Sequence, residues 1–477
     1  MRSHLPSAPP GPEAFCRPDR PVRIRFADPA LEEIAGKIES GVRLDHEDGL
    51  RILRTRDLAG LGALADRAKT RLWGDQVFFV FNRQINPTNA CVLDCKFCDF
   101  ALRPSDPAHY AMTIDEILAK ITPDLREIHI VSGLHHRWRF EYYVDIIRQI
   151  RLAFPEIQIK AWTAVEIDFF TKISGKSLEE VLEILVEAGL NSMPGGGAEV
   201  FSPRVREALF KHKIGEKEWI RVHRTAHRMS IPTNCTLLYG HIETHEERVL
   251  HLLKLRELED EAPGFLAFIP LAFQLGHSGI VDRPASAIED LRTIAAARLL
   301  LDNVPHVKAY WVMLGEETAS IALNFGASDM DGTILEERIA HAALAGSPVG
   351  LARGRMLHLI REAGKLPVER DALYGVIERY PPEERSALSR PRSTESARPD
   401  RRVDDGADDM PLRSTGEDAA SPGGREGDLA PGRDEDPAPD RDEDPAPRPQ
   451  PGGSGTAPHR GSEDEAVLRS PATGPAE

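Results

Sequence analysis

The chain has 477 residues, 60 of them Lys or Arg and 76 Asp or Glu, for a formal net charge of -16. A strongly acidic balance without a basic, aromatic-interleaved patch argues against a nucleic-acid partner. No apolar run approaches the length of a bilayer span and MRSHLPSAPPGPEAFCRPDR lacks a secretory apolar core, so a soluble, cytoplasmic protein with no membrane association is expected.

Residues 1–20, rich in Pro and Ser, read as a flexible N-terminus, and 21–76 as a helical extension with apolar residues at helical spacing through Leu31, Ile34, Ile38, Leu50, Leu53 and Leu58. Short apolar runs then alternate with amphipathic ones. The strand candidates are FFVFNRQI (78–85), EIHIVSG (127–133), IQIKAWT (157–163), LNSMPG (190–195), PTNCTLLYG (232–240), FLAFIPLAF (265–273), HVKAYWVM (306–313) and ASDMDG (327–332). Helices are expected near 113–121, 140–152, 177–188, 216–229, 244–260, 285–301 and 315–324, with more helix after Ile334. Thr113 with Glu116 and Thr244 with Glu247 fit the capping-box spacing. The alternation predicts an α/β fold, a complete eight-stranded (β/α) barrel over 77–382 with C-terminal helices. A doubly wound open sheet shares the alternation but would carry a Gly-rich loop after its first strand, where this chain has cysteines. From 383 to 477 large apolar residues almost vanish and RDEDPAP occurs twice, at 433–439 and 441–447, which predicts a disordered low-complexity tail.

Five cysteines are present, three within eight residues of NPTNACVLDCKFCDF as C-x3-C-x2-C: Cys91, Cys95 and Cys98. That packing suits a metal site in a reducing compartment better than a disulfide framework, and Cys16 and Cys235 read as unpaired. Three thiolates can anchor a 4Fe-4S cubane and leave one iron open. A structural zinc site would need a fourth ligand, and the nearest further candidate is His109.

Barrel chemistry belongs at the C-terminal strand ends. There the chain places Ser132 and Gly133, Thr163 and Glu166, Gly195 to Gly197 with Glu199, and His241 with Glu243. Consecutive glycines suit a ligand lying against backbone, or a sharp turn. Glu199 is either a ligand contact or a surface carboxylate, and Ser132 equally fits a strand-to-helix turn. His241 and Glu243 are candidate ligand contacts or structural polar groups. His135, His136, His277 and His341 read as structural.

The cysteine motif resembles that of radical S-adenosylmethionine (SAM) enzymes, with Phe97 matching the aromatic before the third cysteine. KAWTAVEIDFF, NSMPGGGAEVF, HRTAHRMSIPTNCTLLYGHIETHEERV, FIPLAF, HVKAYWVMLG and REAGKLPVERDALY extend the resemblance, from about residue 30 to 380, to the aminofutalosine synthase family of the futalosine route to menaquinone. Dehypoxanthine futalosine cyclase and deazaflavin synthase are similar, but typically carry a Ser-Pro-type segment where this chain has Thr163-Ala164-Val165. Two departures stand out: SGLHH at 132–136 where the family usually reads GGLHP, and PLAFQL at 270–275 where it reads PLAFHP, which leaves Gln274 in place of a histidine.

The resemblance implies one 4Fe-4S cluster on Cys91, Cys95 and Cys98, with SAM on the fourth iron and against the Ser132–Gly133 turn; Gly196, Glu199 and Glu243 are the further candidate cofactor contacts from their strand-end positions. It implies an external low-potential electron donor such as flavodoxin or ferredoxin. The implied reaction adds the 5'-deoxyadenosyl radical to 3-(1-carboxyvinyloxy)benzoate and yields 6-amino-6-deoxyfutalosine, methionine and bicarbonate. A sibling enzyme acting on another aromatic substrate, and an iron-sulfur electron carrier that does not cleave SAM, are the competing readings.

Overall fold

The computed structural model describes residues 24–381. The expected N-terminal stretch 1–20 and tail 383–477 lie outside them. Helices Pro29–Glu39, His46–Arg54 and Leu58–Trp73 come first, the second opened by an Asp45–Asp48 capping box. No helix among the described residues is long and apolar enough to cross a membrane.

Ten strands follow: β1 (Gln76–Val80), β2 (Asn82–Ile85), β3 (Glu127–Ile130), β4 (Gln158–Ala161), β5 (Thr233–Tyr239), β6 (Phe265–Ala272), β7 (His306–Val307), β8 (Asp329–Gly332), β9 (Leu366–Arg370) and β10 (Val376–Arg379). They form three short sheets, β10-β9-β1-β8, β2-β3-β4 and β5-β6-β7, parallel throughout except for the β9–β10 hairpin. A continuous eight-stranded sheet was expected, and three local causes divide it. The first predicted strand breaks at Phe81, so that β1 pairs with β8 and β9 while β2 pairs with β3. The fourth predicted strand shrinks to single bridges, Lys160–Ser192 and Met193–Thr233, because Pro194 offers no N–H and Gly195 to Gly197 carry no side chain to pack. The seventh ends at Val307, is continued by a Lys308–Asp329 bridge, and gives way to a helical turn over Trp311–Leu314.

The capping boxes at Thr113–Glu116 and Thr244–Glu247 form as the spacing predicts. Two helices were not anticipated, Ala164–Ser174 and Pro203–Leu209. The first starts inside TAVEID, where the Glu166 side chain returns to accept the Thr163 N–H at 2.7 Å. Apolar faces of Phe140–Ala153, Leu178–Ala188 and the flanking helices bury Ile146, Ile147, Leu182 and Leu185 completely against the sheets.

Candidate active site at the strand ends

The loop after β2 carries the three cysteines and is pinned by backbone bonds to every neighbour it passes. Cys91 N–H donates to Leu102 O (2.9 Å), Val92 N–H to Leu134 O (3.1 Å), Lys96 N–H to Leu209 O (2.8 Å), and Gly133 N–H to Thr88 O (2.8 Å). Gly133 is needed for its size: a Cβ there would stand 2.4 Å from the Ala90 carbonyl oxygen, directly before Cys91. The Cys loop and the turn after β3 are therefore one packed unit.

Cys91, Cys95 and Cys98 line a cavity of about 320 Å³ together with Ser132, Gly133, Glu166, Gly195 to Gly197 and Glu199. Among the described residues no three His, Cys, Asp or Glu groups converge as a single ion would require. A cubane differs, since each thiolate takes a different iron and the ligands must surround a volume. The donor set and the shared cavity wall fit that demand. Burial pushes the Cys95 thiol up to about 12 against the pull of the Lys213 ammonium, and burial likewise raises Cys98. Loss of these protons is thus coupled to metal binding.

The three glycines have separate duties. A Cβ on Gly195 would meet the Asn234 carbonyl oxygen at 2.5 Å, and Gly197 combines φ +99° with Val165 Cγ2 at 2.4 Å. Gly196 has only the Thr163 methyl near its Cβ position, at 3.2 Å. Apart from that methyl and its own chain neighbours, the Gly196 Cβ position has no heavy atom within 4 Å.

Glu199 is no surface carboxylate: it is 7% exposed, has φ 48°, and pairs with Lys213, itself 8% exposed. The ammonium also lies 5.2 Å from the Phe97 ring centroid and 5.6 Å from that of Phe210. Burial opposes its charge, yet Glu199 and the neighbouring thiols hold the Lys213 pKa above its ordinary value. Sequence reading missed Lys213, because KHKIGEK (211–217) has the pattern of a solvated turn.

Glu166 joins two predicted positions. It accepts from Ser132 N–H at 2.8 Å and Ser132 Oγ at 3.1 Å, and burial brings its pKa up to about 7. Ser132, the departure from the usual glycine, adds a hydroxyl contact to that carboxyl group.

Glu243 stands apart from the cavity lining. Its carboxylate accepts from Gly240 N–H (2.7 Å), His241 N–H (2.9 Å) and the Arg248 guanidinium (2.6 Å), while His241 Nε2 meets Leu238 O at 3.0 Å. This pair closes the turn after β5. Gln274 lines the cavity and donates to Ala272 O (2.9 Å) and Met313 O (3.1 Å), tying the end of β6 to the Trp311–Leu314 turn. His135 packs on Trp138 at 4.6 Å, and His341 bonds Glu337 at 2.7 Å.

Comparison with known proteins agrees with this geometry. The Radical SAM superfamily model matches residues 85–255, and the CofH/MqnC C-terminal region model matches 262–382. An aminodeoxyfutalosine synthase of Thermus thermophilus is 45% identical over 73% of this chain and 96% of its own, and one of Streptomyces coelicolor 44% identical over 73% and 94%. Methylornithine synthase (PylB) shares the fold at TM-score 0.57 and 15% identity, covering 70% of this chain and 97% of that one. With likeness of this degree along nearly the whole of both relatives, the chain belongs to the aminodeoxyfutalosine synthase family of radical SAM enzymes.

Proposed function

We propose that this enzyme joins the 5'-deoxyadenosyl group of SAM to 3-(1-carboxyvinyloxy)benzoate and, consuming one water, gives 6-amino-6-deoxyfutalosine, methionine and bicarbonate. The observation that carries this reading is that the cysteine loop and the Gly195–Gly197 strand end, which lie about a hundred residues apart in the resemblance, open onto one cavity. Cys91, Cys95 and Cys98 would hold the cluster, which would supply the electron that cleaves the SAM sulfonium. An external low-potential donor such as flavodoxin or ferredoxin would prime it, and the electron would be given back as the product radical becomes a closed-shell molecule, since the overall reaction is redox-neutral.

The chain's own residues hold and shield the reactants. Gly196 leaves backbone exposed for a nucleoside to lie on, and Glu199 with Lys213 places fixed charge beside the thiols. Ser132 and Gly133, braced by Glu166, form the wall for the polar end of SAM. Apolar side chains such as Val165, Leu238 and Met313 complete the lining and keep water away from a reactive radical. On this reading the three sheets and their linking bridges act as one closed eight-stranded ring with the site at its mouth.

The test is an anaerobic incubation of the reconstituted protein with reductant, SAM and the enol ether, followed by mass spectrometry. Formation of the adenosyl adduct with methionine supports the proposal. Inertness toward the enol ether with turnover of dehypoxanthine futalosine would assign the sibling activity, and cluster redox without SAM cleavage would assign an electron carrier.

A further inference from the structure

Below the thiols the cavity ends on a row of side chains at one level of the barrel. Register pairs Gln84 with His129 and His129 with Lys160, and the cavity reaches all three together with Asn234. The row lies three residues before Ser132 on β3 and its extension, roughly 10 Å of strand deeper.

Part of this row's hydrogen-bonding capacity is unused. Asn234 is 3% exposed and its Oδ1 has no hydrogen-bond partner, and His129 Nε2 is also buried without one. Gln84, 5% exposed, lines the cavity beside them. Lys160, 3% exposed, uses one N–H on Glu127 at 2.7 Å and has two donors left. An unpaired buried polar group costs about 1–3 kcal/mol, so the unpaired His129 nitrogen beside the free donors of Lys160 marks a place where a ligand completes the bonding.

We propose that this row binds the ring carboxylate of an aryl carboxylate substrate. Lys160, His129 and the NH2 groups of the Gln84 and Asn234 amides supply N–H donors around an anionic oxygen pair, while the unpaired Asn234 Oδ1, an acceptor, takes no part. Leu238, Ile269 and Tyr310 line the cavity too, as an aromatic ring attached to that carboxylate requires. The acids nearby are matched by cations: Asp331 accepts Lys308 at 2.7 Å, and Glu127 accepts Lys160 and Asn82 on Oε1 while its Oε2 is left without a partner. The inference rests on the proposed function for the identity of the substrate, and not for the existence of the row.

The experiment is calorimetric binding of 3-methoxybenzoate and 3-methoxybenzamide to the full-length reconstituted protein with SAM and without reductant. Wild type is expected to prefer the carboxylate at least tenfold, and the preference to collapse in His129→Leu and Asn234→Leu. Because part of their hydrogen-bonding capacity is unused in the fold, both variants are expected to unfold cooperatively at or above the wild-type midpoint. Absence of the preference in wild type, its survival in both variants, or failure of both variants to fold would each overturn the proposal. Turnover of the enol ether is measured beside it: product without carboxylate preference removes the floor and spares the proposed function, while preference without product does the reverse.

Discussion

Glu199→Gln gives a direct test of how the site is held. The substitution keeps the shape of the side chain and removes the negative charge facing Lys213, in a pair whose side chains are 9% and 8% exposed. Stranding one member of a buried ion pair costs about 3–5 kcal/mol. The Phe97 and Phe210 rings at 5.2 and 5.6 Å face the ammonium in wild type and variant alike, so their contribution of about 2 kcal/mol cancels in the difference. The expectation is a loss of about 3–5 kcal/mol, or about 4–7 °C in thermal midpoint for a folded region of this size. Lys213→Met should cost a similar amount, and the double variant less than either single one, because it leaves no buried charge without a partner. The assay is differential scanning calorimetry of the four reconstituted proteins, with SAM affinity measured alongside. A Glu199→Gln protein within about 0.5 kcal/mol of wild type, or a double variant equal to the sum of the singles, would refute the pairing argument. A stable Glu199→Gln variant with SAM affinity lowered ten- to a hundredfold would make Glu199 a direct ligand contact of the charge-assisted kind.

Cys91→Ala, Cys95→Ala and Cys98→Ala are each expected to abolish 5'-deoxyadenosine formation, whereas Cys235→Ala, a core thiol on β5, should retain it; normal cleavage in Cys98→Ala would remove the cluster assignment. Gly133→Ala forces a methyl to 2.4 Å from the Ala90 carbonyl, so iron content after reconstitution should fall more than helix content by circular dichroism. Glu166 has its folded pKa raised from 4.5 to about 7 by burial, so the native state binds the extra proton between those values. Stability should then fall as pH rises through that window, by up to about 1.4 kcal/mol per unit, level off above 7, and lose this slope in Glu166→Gln when urea midpoints are compared.

Covalent chemistry and periodicity were the legible parts. Three thiols at C-x3-C-x2-C, capping pairs at Thr113 and Thr244, and alternating apolar runs each report a local constraint, and the structure keeps them. Lys213 was invisible because its partner lies fourteen residues away across a positive-φ backbone turn, and a charged turn sequence does not reveal which lysine folds inward. The β9–β10 hairpin was missed for a different reason. LPVER and VIER are short and charged, and they become strands because β1 offers an edge that β8 leaves open. Glu243 shows the converse: a carboxylate at a strand end carries the signature of a ligand contact, yet Arg248 five residues on and two backbone N–H groups claim it.

The two ends of the cavity divide the labour that the proposed reaction requires. At the mouth, burial keeps free thiols protonated, and the adjacent Lys213 cation favours the thiolates that iron needs. At the floor, Lys160 and Asp331 line the cavity and belong to a buried network in which three cations (Lys160, Lys308, Arg370) and three acids (Glu127, Asp329, Asp331) are matched in pairs at 2.6–2.7 Å. That balance makes the network rigid, since moving any one side chain would strand its partner in a low dielectric. A substrate anchored on such a floor has little freedom to turn toward the mouth. Radical addition selects one carbon by distance and alignment, so the stiffness of the charged layer below, as much as the groups touching the reacting atoms, is what would hold the vinyl carbon in line.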